Sequence, residues 1–254
     1  MGYWDDQVAQ IWADLYQVQG KFNQLQESFV VREYRNNKSA EYAKHGFCRR
    51  IRMLVRCIDN IFISVPPDIA GRPDEEVLYD LTINLQTFVF HVFGCVDNLA
   101  WVLVEELGIV KEDGTPLSRF SVGLRPNHRR VRAYLSDEFQ QFLQEIEEWF
   151  SVLEDFRHAL AHRIPLYVPP YVVQERNHVK YQELEDRCLE ASRLGNIEEY
   201  NRLHEEQMAL TVFSPVMTHS IFEGSYRVWF HAQVLADFNT IDALAKKVLA
   251  ELDR

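Results

Sequence analysis

Residues 73–108 read PDEEVLYDLTINLQTFVFHVFGCVDNLAWVLVEELG, and this stretch decides the fold. Pro73 and Asp74 suit the opening of a helix, because the first turn needs no amide from proline and favours acids near its positive end. Gly108 suits its end. Apolar residues occupy much of the circumference in between, which is the pattern of a helix buried at the centre of a bundle. The stretch from Leu81 to Val96 carries no formal charge but contains Thr82, Asn84, Gln86, Thr87 and His91. It is also shorter than the roughly 20 residues that span a bilayer, so a core helix is expected rather than a membrane segment. Asp97 and Asn98 interrupt it. Burial without partners would be costly for both, so each is expected to have polar company.

The neighbours on either side extend this bundle. Upstream, Trp4, Val8, Ile11, Leu15, Val18, Phe22, Leu25 and Phe29 alternate spacings of four and three, which predicts one long amphipathic helix. Polar residues from Glu33 to Lys38 break it, and Ser39 is a candidate cap for a second helix. That helix would bury Phe47, Ile51, Leu54, Val55, Ile58 and Phe62 and stop at Pro66 and Pro67. Downstream, residues 108–127 are turn-rich, a short basic helix is expected from His128 to Leu135, and Ser136 can cap a long helix reaching about His162 before Pro165. The run IPLYVPPYVV must be extended because of its prolines. Two charged helices then form a hairpin about Gly195 and Asn196, and ALTVFSPVMTHS is expected to pair with the YVV segment as a small ribbon. A last amphipathic helix follows from about Val228 to Leu252. The expected class is therefore all-α for the most part: a multi-helix bundle with long antiparallel helices and a Pro-rich, partly extended insertion before the last helix. With no repeat or linker, it reads as one helical domain over 1–254. Within it lie an N-terminal helical pair (1–66), a bundle core (73–163), the insertion (164–226) and a C-terminal helix (228–254).

Composition narrows the function. The 254 residues carry a formal charge of −11, which argues against non-specific coating of nucleic acid but not against a local basic site. Cys48, Cys57, Cys95 and Cys188 form no CxxC pair and fall in helical segments, so reduced thiols in a cytosolic setting are expected, not a disulfide framework or zinc knuckle. The N-terminal MGYWDDQVAQIW has no basic region ahead of its apolar residues, so no secretory signal is expected. Walker A, GxGxxG and GxSxG patterns are absent, which leaves nucleotide hydrolysis, dinucleotide redox chemistry and α/β-hydrolase chemistry without support.

The most informative string for chemistry is Asp155-Phe156-Arg157-His158-Ala159-Leu160-Ala161-His162-Arg163. Arg157 and His162 are five positions apart, about 500° of helical rotation, and so project from neighbouring faces. Pro165 places His162 in the last turn, where the chain end leaves room for a ligand. A titratable His beside a permanent cation is what metal-independent RNA cleavage needs: one moves protons, the other stabilises charge on the phosphate. This Arg-x4-His arrangement, with a polar residue after the Arg and near the C-terminal end of a bundle helix, resembles the HEPN superfamily (higher eukaryotes and prokaryotes nucleotide-binding). The resemblance covers roughly residues 75–163. It implies a small helical bundle acting as an endoribonuclease in a toxin, antiphage or RNA-processing system, dimerised so that two motifs face each other, without metal or cofactor. Arg157 would contact phosphate, His158 would be the polar follower, and His162 would be catalytic. Asp155 is the supporting carboxylate. Asp97 and Asn98 would orient the motif helix or else form a purely structural polar pair. RNA, a second copy and an antitoxin or regulatory protein are the implied partners, with no membrane.

Three other readings compete. A non-catalytic binding or regulatory bundle of similar shape would let Arg157 pair with Glu154 or Asp155 while His162 interacts with the helix dipole. A metal bundle would use His158 with His162, or Asp155-x-x-His158 with Glu175-x-x-His178, against the positive charge of Arg157 and Arg163. Finally, two acid-free stretches gather cations. One, from Tyr42 to Ile58, holds Lys44, Arg49, Arg50, Arg52 and Arg56, with Arg49, Arg52 and Arg56 on one face. The other, from Gly114 to Ser136, holds Arg119, Arg125, Arg129, Arg130 and Arg132. They suit an RNA-backbone groove, or they neutralise acids such as Asp137, Glu145 and Glu147.

Overall fold

The computed structural model describes residues 2–220 and 222–254, and these are mostly helical. Helix α1 (Asp5–Val31) turns Ile11, Val18, Phe22, Leu25 and Phe29 inward. Trp4, counted in its apolar row, lies at the N-cap and stays exposed. Asn36, not Ser39, caps the next helix: its Oδ1 accepts from the Lys38 and Ser39 amides at 2.9 and 3.0 Å. Ser39 is one residue too far inside to do this. It is buried and donates its hydroxyl to the Asn36 carbonyl at 2.9 Å. From there α2 (Asn37–Ala40) widens into a π-helical turn over Glu41–Phe47 and continues as α3 (Cys48–Ser64), whose buried side carries the expected apolar residues.

The quoted stretch forms α4 (Glu75–Leu107), 33 residues or about 50 Å long. It closes on Gly108, whose φ of +64° is the left-handed conformation a glycine end permits. Its inward residues, from Leu78 through Phe88 and Val92 to Leu103, make it the axis against which α3, the π turn, α7 and α10 pack. Among the described residues it is also the one helix long and apolar enough to cross a membrane, but most of that stretch is buried inside the bundle.

After a turn-rich loop come α5 (Arg129–Arg132), α6 (Asp137–Glu145) and α7 (Glu147–His162). The single long helix expected from Ser136 to His162 is broken at Ile146, which leaves helical geometry at φ −101°, ψ 14°. Just beyond the break, Trp149 Nε1 donates to Asp237 Oδ1 at 2.7 Å on the last helix, which anchors the start of α7 to α10. Ser136 caps α6 as expected and is itself held by Glu251.

The insertion begins with extended chain. Strand β1 (Val172–Val173) pairs antiparallel with β2 (Thr211–Val212), with Val172 opposite Val212. This is the ribbon the YVV segment predicted. Between them α8 (His178–Arg193) and α9 (Ile197–Met208) form the hairpin about Gly195, packed on their own small cluster of Leu184, Cys188, Ala191 and Leu203. A second two-stranded pair, β3 (Val216–Met217) with β4 (Val228–Trp229), leads into α10 (Phe230–Leu252), which returns to the main core.

Candidate functional site

The motif occupies the C-terminal half of α7. Arg157 is half-buried and its guanidinium lies over the ring of Phe93 on α4, 5.2 Å from the centroid. Among the described residues, no carboxylate is in salt-bridge contact with it. The two acids that could have neutralised it are engaged elsewhere. Glu154 pairs with Arg125 and stands 3.8 Å from His158. Asp155 accepts from Arg163 and, at 2.9 Å, from His219 Nε2. Partial burial alone would raise the Asp155 carboxyl, but these hydrogen bonds outweigh it and hold it below the usual carboxylate range. Asp155 therefore ties the end of α7 to the insertion through buried His219, and contacts neither Arg157 nor His162. His162 ends the helix as expected, exposed, with its ring 6.3 Å from that of His158 in an edge-to-face arrangement.

Across from Arg157, the polar interruption of α4 becomes informative. Three guanidiniums act on Asp97: Arg125 from the loop, Arg50 from α3 and Arg157 from α7. Crowding by protein raises its carboxyl, and these cations, none in direct salt-bridge contact with it, only partly offset the effect. Arg125 shares the Phe93 ring, 5.7 Å from its centroid. Asn98 accepts from Arg50 Nε at 3.0 Å. The two residues thus have different roles: Asp97 faces the motif helix electrostatically, while Asn98 binds α3.

Two histidines absent from the sequence-level site flank this region. His91 lies two turns before Asn98 on α4. Burial, and after it Arg50, push its imidazole below the ordinary value, and its Nδ1 is buried without a partner. His128, next to α5, is packed onto Gly123 and is lowered in the same way, by burial and then by Arg125. Neither has a signature in the chain. Each is a lone His whose neighbours come from other segments. Gly94 was the available clue, since an isolated glycine inside a long helix suggests a close approach.

The two basic stretches separate. In the second, Arg125 pairs with Glu154, Arg132 pairs with Glu147 at 3.1 Å, and Arg130 donates to the Val110 carbonyl and lies over Tyr134. Arg129 is exposed and forms no ion pair among the described residues. Neutralisation thus accounts for part of this cluster. In the first, the contacts are not with carboxylates: Arg49 with His45 at 3.2 Å, Arg52 with Gln26 at 3.3 Å, and Lys44 with the Tyr34 ring. Arg56 has Asp59 in its field without an ion pair. Lys44, Arg49 and Arg52 line a groove of about 500 Å³ between α1 and the start of α3.

The carboxylate-histidine pairs that imitate a di-metal bundle do not converge. Asp155 is held by Arg163 and His219, and His178 Nε2 lies 3.1 Å from the Val173 carbonyl. Among the described residues no group of three or more His, Cys, Asp or Glu is arranged to hold a metal ion. The arrangement that does exist is a gathering of cations at the middle of α4: Arg125 and Arg157 over the Phe93 ring, and Arg50 held by Asn98. No protein-family model, curated protein or solved structure matches this chain.

Proposed function

We propose that the protein is a HEPN-like, metal-independent endoribonuclease, working as a cytoplasmic homodimer under the control of an antitoxin or other regulatory partner. The observation that carries this reading is the state of Arg157: a half-buried guanidinium one and a half turns before the exposed His162, with no carboxylate in salt-bridge contact among the described residues. An unpaired arginine beside two further cations attracts a phosphodiester, and its planar donors match phosphate oxygens. In the proposed reaction His162 takes the proton from a ribose 2′-hydroxyl as that oxygen attacks phosphorus. The bond to the 5′-oxygen breaks, and His158 returns a proton to the leaving oxygen. A 2′,3′-cyclic phosphate and a 5′-hydroxyl result, with Arg157 stabilising charge on the non-bridging oxygens. The dimer would use the exposed apolar row of Tyr79, Ile83 and Phe90 on α4, the helix that also carries Phe93 and Asp97. Arg49, Arg52 and Arg56 would guide the RNA backbone, with Arg129, Arg130 and Arg132 contributing from the other side.

The contact of Glu154 with both Arg125 and His158 favours a second reading, in which the cations around Phe93 bind an anionic partner without cleaving it. One experiment separates the two. Cleavage of varied RNAs in EDTA is measured for wild type, Arg157→Ala and His162→Ala. Cleavage by wild type alone supports the enzyme, binding without cleavage supports the second reading, and equal cleavage by all three proteins refutes the assigned site.

A further inference from the structure

We propose that Arg50 is a second phosphate-binding residue of this site, positioned by Asn98, so that the RNA backbone is gripped from α3 as well as from α7. The inference rests on the nuclease reading above and adds a residue that the Arg-x4-His pattern does not contain.

The first argument is packing. Arg50 lies directly against α4 at Gly94, where a Cβ would come within 2.4 Å of its Cζ and Nη1. Any other residue at position 94 would push the guanidinium away. A glycine in mid-helix destabilises the helix relative to alanine, so α4 carries a local weakness at the one place where Arg50 crosses it. The second argument is orientation. Nε of Arg50 donates to Asn98 Oδ1 at 3.0 Å, and Asn98 in turn is seated against Gly46, where a Cβ would lie 2.8 Å from its Cγ. Gly46 belongs to the π-helical turn Glu41–Phe47, and such turns occur mostly as local interruptions of α-helices, frequently at functional sites. Two glycines and a widened turn thus converge on the placement of one guanidinium.

The third argument is what remains unused. The bond to Asn98 occupies Nε alone, and among the described residues no carboxylate and no other acceptor meets Nη1 or Nη2. These two nitrogens form the edge that pairs with two oxygens of a phosphate. The fourth is convergence: Arg50 and Arg157 both act on Asp97, and Arg50 also acts on His91, so α3 and α7 each bring a cation to the same stretch of α4. A half-buried arginine serving only to join α3 to α4 would not require its terminal nitrogens to stay free.

The test uses the full chain and a labelled single-stranded 2′-O-methyl RNA, which cannot be cleaved, with affinity measured against salt concentration and Tm measured in parallel. Arg50→Gln is expected to weaken binding about tenfold and to lower the slope of log affinity against log salt by about 0.7, the loss of one phosphate contact on a single strand. Gly94→Ala and Arg50→Lys, which keep a positive charge but disturb its placement, are expected to weaken binding several-fold with the slope retained. They also stand in for Arg50→Gln if that variant does not fold. Binding unaffected by Arg50→Gln, Arg50→Lys and Gly94→Ala, but lost in Arg157→Gln, would overturn the role of Arg50 and leave the nuclease reading in place. Wild-type protein that does not bind, or binding indifferent to Arg157→Gln, would overturn both.

Discussion

Asp237 offers a quantitative test of how the bundle is held together. It is buried on α10, and a single oxygen, Oδ1, accepts both from Trp149 Nε1 and from Gln233 Nε2 at 2.7 Å. Both donors are neutral, so nothing balances the charge of an ionised carboxylate. Burial pushes the carboxyl up from 3.8 to about 6, and the two hydrogen bonds reduce the shift without cancelling it. Between those values the folded protein binds the proton and the unfolded chain does not, so stability falls as pH rises through this window. A gap of about two units at about 1.4 kcal/mol each makes the protein roughly 3 kcal/mol less stable above pH 7 than near pH 4 on account of this group. Asp237→Asn keeps an oxygen for both donors and removes the titration. Its urea midpoint is expected to match that of wild type near pH 4 and to exceed it increasingly up to about pH 7. The difference between the two proteins isolates Asp237 from every other titrating group. An Asn variant no more stable than wild type at pH 8, or equally stabilised at all pH values, would refute the argument.

Other expectations follow from single contacts. Asp97→Asn removes a negative charge in the field of three arginines, so it should tighten binding of the non-cleavable RNA by a few-fold, an order-of-magnitude figure for one charge at a partly solvated site; weaker binding would mean that Asp97 organises those arginines instead. Asp155, held below the usual range by Arg163 and His219, stabilises the fold above its unfolded value near 3.8, and that contribution is lost as pH falls through its folded value. Asp155→Asn should therefore lower the midpoint at neutral pH and flatten its decline in acid, as read by urea unfolding between pH 3 and 7. Gly20 lies inside α1 with open space where a Cβ would go, so Gly20→Ala should raise stability by about 0.5–1 kcal/mol. The same substitution at Gly94 should lower it, because the new methyl meets Arg50.

The helices were legible where one physical signal dominated. The four-and-three spacing of α1 and the apolar residues around much of α4 point to one arrangement, and Pro66, Pro165 and Gly108 punctuate the chain. Legibility failed where long-range contacts decided. Nothing local in Gln144-Glu145-Ile146-Glu147-Glu148 forbids a continuous helix, and the break at Ile146 lies three residues before Trp149, which binds Asp237, 88 positions away. The candidate site divides along the same line. Arg157, His158 and His162 could be read because one helix carries them and a proline marks its end, whereas Asp155 was placed with the motif by proximity in sequence and instead faces His219. Arg50, Phe93, His91 and His128 come together only through packing.

The helix that settles the fold also carries the residues around which the cations gather. An apolar helix needs neither Gly94 nor Asn98, and each makes α4 a poorer core element than an unbroken run of Leu and Val would, while Asp97 lies on its exposed side. Places where several local preferences are violated together are where function or strain is expected. Here each violation has an identified counterpart: Arg50 lies on Gly94, Asn98 holds Arg50, and Asp97 stands in the field of Arg50, Arg125 and Arg157. A bundle that only had to be stable could replace Gly94 and Asn98 and dismiss the cations around them. Their joint presence beside an arginine with no carboxylate in salt-bridge contact is the strongest reason to treat the middle of α4, and not the end of α7 alone, as the centre of the site.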